Sequence, residues 1–196
     1  MTPQHDNVLP LFEETGAYLK GHFRLTSGLH SPEYLQCALV LRFPQHAEKL
    51  GQQLATSLKG LAAGTPIDLV VSPAMGGIIL GHEVGRALGV PAIFTERDNG
   101  AMTLRRGFQI PAGARIVVVE DVVTTGLSTR EVIQVLLKAG GKVVAAGSII
   151  DRSGGTVDLG VPRSALSTMK VTAWTAEECP LCAQGSPVVK PGSRAV

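Results

Sequence analysis

The run from Val117 to Thr129, Val-Val-Val-Glu-Asp-Val-Val-Thr-Thr-Gly-Leu-Ser-Thr, constrains the fold of this chain more than any other stretch. Its β-branched opening suits a strand buried on both faces, which is the habit of a parallel sheet. Glu120 and Asp121 fall side by side toward the end of that strand, and Thr124-Thr125-Gly126 turns the chain. Ser128 followed three residues later by Glu131 reads as a capping box. Val132, Val135, Leu136 and Ala139 recur at helical spacing, and Gly140-Gly141 closes the segment. The whole predicts a strand, a small-residue loop and a helix N-terminus in one unit.

Such a loop directs backbone N–H groups at whatever lies above it, and the helix dipole adds partial positive charge. With the hydroxyls of Thr124, Thr125 and Ser128, it suits a phosphate monoester. Carboxylates at the same rim are poorly placed to hold phosphate. They are well placed to accept hydrogen bonds from sugar hydroxyls or to hold a divalent cation. The plainer reading is an ordinary strand-to-helix turn with a solvated acid pair. The coincidence of acids, Thr-Thr-Gly and a capped helix favours a site.

This run resembles the 5-phosphoribosyl 1-pyrophosphate (PRPP) signature of type I phosphoribosyltransferases. The resemblance implies that Thr124, Thr125, Gly126, Leu127 and Ser128 hold the ribose 5-phosphate, with Val122 and Val123 also binding PRPP. It also implies that Glu120 and Asp121 hold the ribose 2′- and 3′-hydroxyls, with Asp121 counted among the catalytic residues.

Before this unit, Val8–Lys20 reads as a helix capped by Asp6 or Asn7. A short strand, a turn at Ser27-Gly28 and a second strand over Tyr34–Leu39 follow. A plain hairpin would account for them. The Ser-Gly-x-x-Ser-Pro pattern also resembles the N-terminal hood of orotate phosphoribosyltransferases, where many relatives carry a lysine at the position of Thr26. By that resemblance Tyr34 and Leu35 lie against the base. Pro44 opens a second helix to about Leu58, Ile67–Val71 is a buried strand, and a helix runs from about Ile78 to Leu88. Between the last two, Gly76-Gly77 lets a ligand approach the backbone closely. It resembles the family's pyrophosphate loop.

Pro91–Phe94 is a further strand, and the polar, glycine-bearing stretch from Thr95 to Phe108 reads as a mobile arm. Arg97, Arg105 and Arg106 would ordinarily be solvated charges. A reaction that expels pyrophosphate needs cations, however, and an arm carrying arginines makes a lid. By resemblance these three are catalytic, and Arg97 also contacts PRPP. Lys142–Ile150 is a strand ending in Asp151-Arg152. An arginine at the carboxyl end of a parallel strand faces the ligand crevice and grips a carboxylate with two hydrogen bonds. The alternative is a surface Asp151–Arg152 pair. By resemblance Arg152 reads the orotate carboxylate, and Thr124 touches the base too. Leu166–Val171 reads as an edge strand, and the tail from Ser186 as frayed. Cys179-Pro-Leu-Cys182 invites a zinc or redox reading, but no partner ligands stand near it in sequence, so none is expected.

Alternating strands and helices predict an α/β chain: a parallel sheet flanked by helices, with a small N-terminal hood over the strand ends. The expected division is one phosphoribosyltransferase domain, with core 44–152 and hood 1–40 plus parts of the C-terminal segment. The resemblance implies the substrates PRPP and orotate, Mg2+ held mainly through substrate with no direct protein ligand, and a homodimer. A net charge of +2 is too small to argue for nucleic acid or a membrane surface. Three cysteines without a secretion signal point to the cytoplasm. The rivals are a purine-base phosphoribosyltransferase and a PRPP-sensing, nucleic-acid-binding regulator of the same fold.

Overall fold

The computed structural model describes residues 8–25 and 27–191. The expected caps Asp6 and Asn7, and Thr26, lie outside them. Helix α1 covers Val8–Glu14 and buries Val8, Leu11 and Phe12. It ends there rather than at Lys20, because Thr15-Gly16 stops it: Gly16 and Ala17 bond back to Glu13 and Phe12. Strand β1 (Tyr18–Arg24) pairs antiparallel with β2 (His30–Leu35). The second strand therefore begins earlier than expected, and Cys37–Leu41 is a short helix, α2.

Helix α3 runs Pro44–Leu61, with proline at its first turn. Then follow β3 (Leu69–Pro73), α4 (Gly77–Leu88) and β4 (Ala92–Asp98). The expected arm is folded. It continues β4, turns at Asn99-Gly100 and returns as β5 (Ala101–Leu104), paired antiparallel with β4. Asn99 and Gly100 both have positive φ, 49° and 84°, as a two-residue type I′ hairpin turn requires. Strand β6 (Arg115–Val123) leads into α5 (Leu127–Lys138), then β7 (Lys142–Asp151), β8 (Arg163–Thr168) and the short α6 (Pro180–Ala183).

Six strands form one sheet in the order β5-β4-β3-β6-β7-β8, parallel except for β5. Burial on both faces follows from the two-residue period of β6. Val117 and Val119 pack with Leu50, Leu54, Leu58, Leu80 and Val84 of α3 and α4. Ile116 and Val118 face the other way, onto Val132, Ile133 and Leu136 of α5. The strand order reverses direction between β3 and β6, and in open α/β sheets ligands bind at such a switch, outside the carboxyl ends of the strands.

The β1–β2 hairpin is a separate small sheet. Residues beyond β8 return to it. Trp174 bridges His30 through two backbone hydrogen bonds, and Val189 lies parallel to Phe23, exchanging backbone bonds with His22 and Arg24. Up to Pro191 the segment from Ser186 is thus tied to the hairpin rather than frayed.

Candidate active site

The loops after β3 and β6 meet at the switch point. A cavity of about 420 Å³ opens there, lined by Glu120, Val122–Thr129, Arg97, Met102, Ala74 and Ser27. Its floor is the expected strand-loop-helix unit, with one difference in the cap. Gly126, at φ 74°, stands immediately before the helix, and Ser128 lies inside the first turn. A left-handed residue there is natural for glycine. A Cβ on Gly126 would come within 2.6 Å of Val157 Cγ1. The loop is buttressed from behind by Arg130, which donates to the carbonyls of Thr125 (2.6 Å) and Asp158 (2.8 Å). With the Thr125 carbonyl turned back, hydroxyls and helix-start N–H groups line the cavity, the Leu127 N–H reaching Thr125 Oγ1 at 3.4 Å.

Glu131, freed from capping, pairs with Arg97 instead, and Arg97 also donates to the Gly100 carbonyl at 2.8 Å. Arg97 is therefore fixed on the cavity wall. Arg105 and Arg106 are not brought to it. Arg106 makes two 2.8 Å bonds to Glu96, and Arg105 lies 4.0 Å from Asp98, both exposed on the hairpin.

Glu120 is 8% exposed, and Asp121 beside it is largely enclosed. Burial pushes the Glu120 carboxyl well above its ordinary range, and the neighbouring Asp121 adds to the effect. Burial also raises Asp121, although the Val122 N–H donates to it at 2.8 Å. These are acids held at some cost where a ligand's donors can compensate them. Gly76 stands directly opposite: a Cβ there would lie 2.5 Å from Asp121 Oδ2. Gly76→Ala is expected to displace that carboxylate and lower turnover at least tenfold while Tm moves little, because Gly76 is exposed. Steady-state kinetics with thermal unfolding checks this, and unchanged turnover would remove Gly76 from the site.

Arg152 follows β7, its N–H bonded to the Val123 carbonyl at 2.8 Å, so it shares the rim with the Thr124–Ser128 loop. It does not pair with Asp151. That carboxylate is fully buried and accepts bonds from Ser153, Gly155 and Arg163. Burial works to raise Asp151, but the bonds from Ser153 and Arg163 outweigh it and hold it below its ordinary value. Arg152 is left with a buried Nε that has no hydrogen-bond partner. Burial lowers its pKa, opposed by Tyr34 and Glu33 of the hairpin. Tyr34 is half-buried, its hydroxyl pushed up by burial and pulled back by Arg152. Leu35 points the other way, as alternation along a strand demands, into the core with Phe12 and Val40. Of the expected base contacts, Thr124 lines the cavity, Tyr34 and Arg152 stand near each other beside its rim without lining it, and Leu35 points into the core.

Sequence reasoning missed Arg130, the Arg97–Glu131 pair and a cluster away from the cavity. His22 and His30 stand beside Cys179 and Cys182. The two cysteines were read as lacking partner ligands, because only the tail's return to the hairpin brings these four residues together.

Residues 44–174 match the phosphoribosyl transferase domain family. The chain is 55% identical to the orotate phosphoribosyltransferase of Pelotomaculum thermopropionicum, over 97% of its own length and 98% of that protein. It is 56% identical to that of Heliobacterium modesticaldum, over 96% and 98%. Among solved structures, the orotate phosphoribosyltransferase of Aeropyrum pernix superposes with a TM-score of 0.67 at 27% identity, covering 83% of this chain and 94% of that one. The chain belongs to the phosphoribosyltransferase family and, within it, to the orotate phosphoribosyltransferases.

Proposed function

We propose that the chain transfers the 5-phosphoribosyl group from PRPP to orotate, giving orotidine 5′-monophosphate and pyrophosphate in de novo pyrimidine synthesis. The observation that carries the choice of base is Arg152, whose buried, unpartnered guanidinium nitrogen sits at the rim of the phosphate loop. A planar fork there matches a carboxylate in shape and charge. Adenine carries no carboxylate for it to grip.

The 5-phosphate sits in the loop Thr124–Ser128. Glu120 and Asp121 accept hydrogen bonds from the ribose hydroxyls, and the Gly76-Gly77 backbone receives the pyrophosphate. As the bond from the anomeric carbon to pyrophosphate breaks, positive charge develops on the ribose ring. The two acids and the fixed loop dipoles stabilise that state. Orotate N1, aligned by Arg152 against Tyr34, attacks the opposite face, and its proton is lost to solvent or the departing pyrophosphate. The protein's part is positioning and charge stabilisation, with no covalent intermediate.

The enclosed acids also fit a hard cation. Burial has raised both carboxyls, and the room beside Asp121 is what a Cβ on Gly76 would fill. Glu120 and Asp121 would hold Mg2+ through the ribose hydroxyls rather than ligate it directly. When bound, the ion neutralises charge on the departing pyrophosphate. Arg97 supplies a cation on the cavity wall. Arg105 and Arg106, on the β4–β5 hairpin, reach pyrophosphate only when the hairpin moves or serves a second copy's site, which fits a homodimer. A cytoplasmic location belongs to the same reading. Among the described residues, no helix is long and apolar enough to cross a membrane.

The test is a panel of orotate, uracil, adenine and hypoxanthine with PRPP and Mg2+, read by pyrophosphate release. Orotate alone is expected to react. Turnover of a purine base without turnover of orotate would overturn the assignment.

A further inference from the structure

Two histidines from the hood hairpin and two cysteines from the C-terminal segment converge on one point. His22 lies on β1 and His30 opens β2, while Cys179 precedes α6 and Cys182 lies within it. Their four candidate ligand atoms all lie within 4.8 Å of one another. The structure assigns them to a tetrahedral Zn2+ site, Cys₂His₂, that clamps the C-terminal segment to the hood.

The spacing supports this. Ideal tetrahedral zinc with ordinary bond lengths places S and N ligands about 3.6 Å apart and two N ligands about 3.4 Å apart. Here Cys179 Sγ and Cys182 Sγ lie 3.5 and 3.6 Å from His22 Nε2, and Cys182 Sγ lies 3.2 Å from His30 Nδ1. The two histidine nitrogens are 2.8 Å apart and would open by about 0.6 Å to admit the ion, while the widest pair of ligand atoms, at up to 4.8 Å, would close by about an ångström. Histidine tautomerism supports it as well. His22 Nδ1 donates to the Ser186 carbonyl at 2.9 Å, which leaves the Nε2 lone pair aimed into the cluster. Metal-bound histidines are oriented in this way by a carbonyl on the far nitrogen.

The charge balance is also right for an enclosed place. His22, His30 and Cys179 are all less than 9% exposed. Two thiolates and two neutral imidazoles around Zn2+ carry no net charge, whereas an unmatched ion there would be strongly penalised. Each thiol releases one proton as the ion binds. Soft sulfur with imidazole in a tetrahedral set selects zinc over magnesium or calcium. With four protein ligands the site is closed, hence structural rather than catalytic. Its effect on the enzyme is through position. The hairpin carries Tyr34, and its turn residue Ser27 lines the cavity mouth. The clamp fixes that cover above the phosphate loop.

The test uses the full chain, with no affinity tag, purified under reducing conditions. Elemental analysis is expected to find about one zinc per chain. After removal of the zinc by chelation, added Co2+ is expected to give thiolate-to-metal charge transfer and the strong visible bands of a tetrahedral site. Cys182→Ser, which alters the less buried sulfur, should weaken the charge-transfer band to about half or abolish it. Should that variant fail to fold, metal content and Co2+ spectra of the unaltered chain still decide. A folded, reduced chain that retains no zinc and takes up neither Zn2+ nor Co2+ at micromolar concentration overturns the proposal. So does a Co2+ spectrum without thiolate character. Reversible formation of a Cys179–Cys182 disulfide in a chain that binds no metal overturns it too, in favour of a redox pair.

Discussion

Arg152→Ala is expected to lower kcat/KM for orotate by roughly 30- to 3000-fold while leaving PRPP affinity nearly unchanged. Truncating one partner of a charge-assisted pair in a desolvated site costs about 2–5 kcal/mol, and each 1.4 kcal/mol is about a factor of ten. The desolvation is visible in the lowered pKa of Arg152 and its unpartnered Nε. The selectivity follows from the division of the site, since the phosphate loop is held by Arg130 and the α5 N-terminus and not by Arg152. Arg152→Lys should recover only part of the loss, because an ammonium is a point charge and not a fork. Calorimetric titration of each ligand separately makes the comparison. Equal weakening of PRPP and orotate would make Arg152 structural, and unchanged orotate binding would remove the main physical support for that base.

The second large effect concerns Glu120 and Asp121, where activity and stability should move in opposite directions. Hydrogen bonds to charged groups contribute about 1.5–3 kcal/mol each, so Asp121→Asn or Glu120→Gln should each reduce turnover roughly 10- to 150-fold. Both carboxyls are raised in the fold by burial. A carboxyl whose folded pKa lies above its unfolded one keeps its proton longer in the folded state. Stability therefore falls as pH rises from the ordinary value, 4.5 for Glu120, through the raised one. The amide variant lacks this loss. Its Tm should match the parent's in acid and exceed it increasingly toward neutral pH in the absence of ligand. Each 1 kcal/mol relieved should appear as about 2–4 °C. Calorimetric scans across that range, with kinetics at neutral pH, test both halves. A Tm difference that does not change with pH, or near-normal turnover with both acids replaced, would contradict the assignment.

The central unit was legible because its signals are local. The valine run, the acid pair, the Thr-Thr-Gly turn and the helical period of Val132, Val135 and Leu136 all lie within one strand, one loop and one helix. The cap was misassigned because Ser128 and Glu131 fit a capping box by spacing, but tertiary context gave Glu131 to Arg97 and left the turn to Gly126. The expectation of a mobile arm rests on polarity and passes over Asn99-Gly100, a local hairpin signal that the fold uses as a type I′ turn. Leu35 and Tyr34 could not be told apart without the register of β2, since a shift of one residue exchanges the faces. What was illegible is what depends on distant pairing: Asp151 choosing Arg163 over its neighbour, the tail lying beside β1, and two histidines finding two cysteines about a hundred and fifty residues away.

That distant pairing also imposes an order on assembly. The six-stranded sheet has all its strands once Thr168 has left the ribosome, and the loop after Val123 on the cavity floor lies between β6 and α5. The β1–β2 hairpin emerges far earlier, yet Trp174 and Val189, which brace it, follow Thr168 in the chain and emerge only after it. During synthesis the hairpin must wait, unbraced, while the whole sheet emerges. The sheet and the cavity floor are thus complete before the hairpin that stands over them is braced.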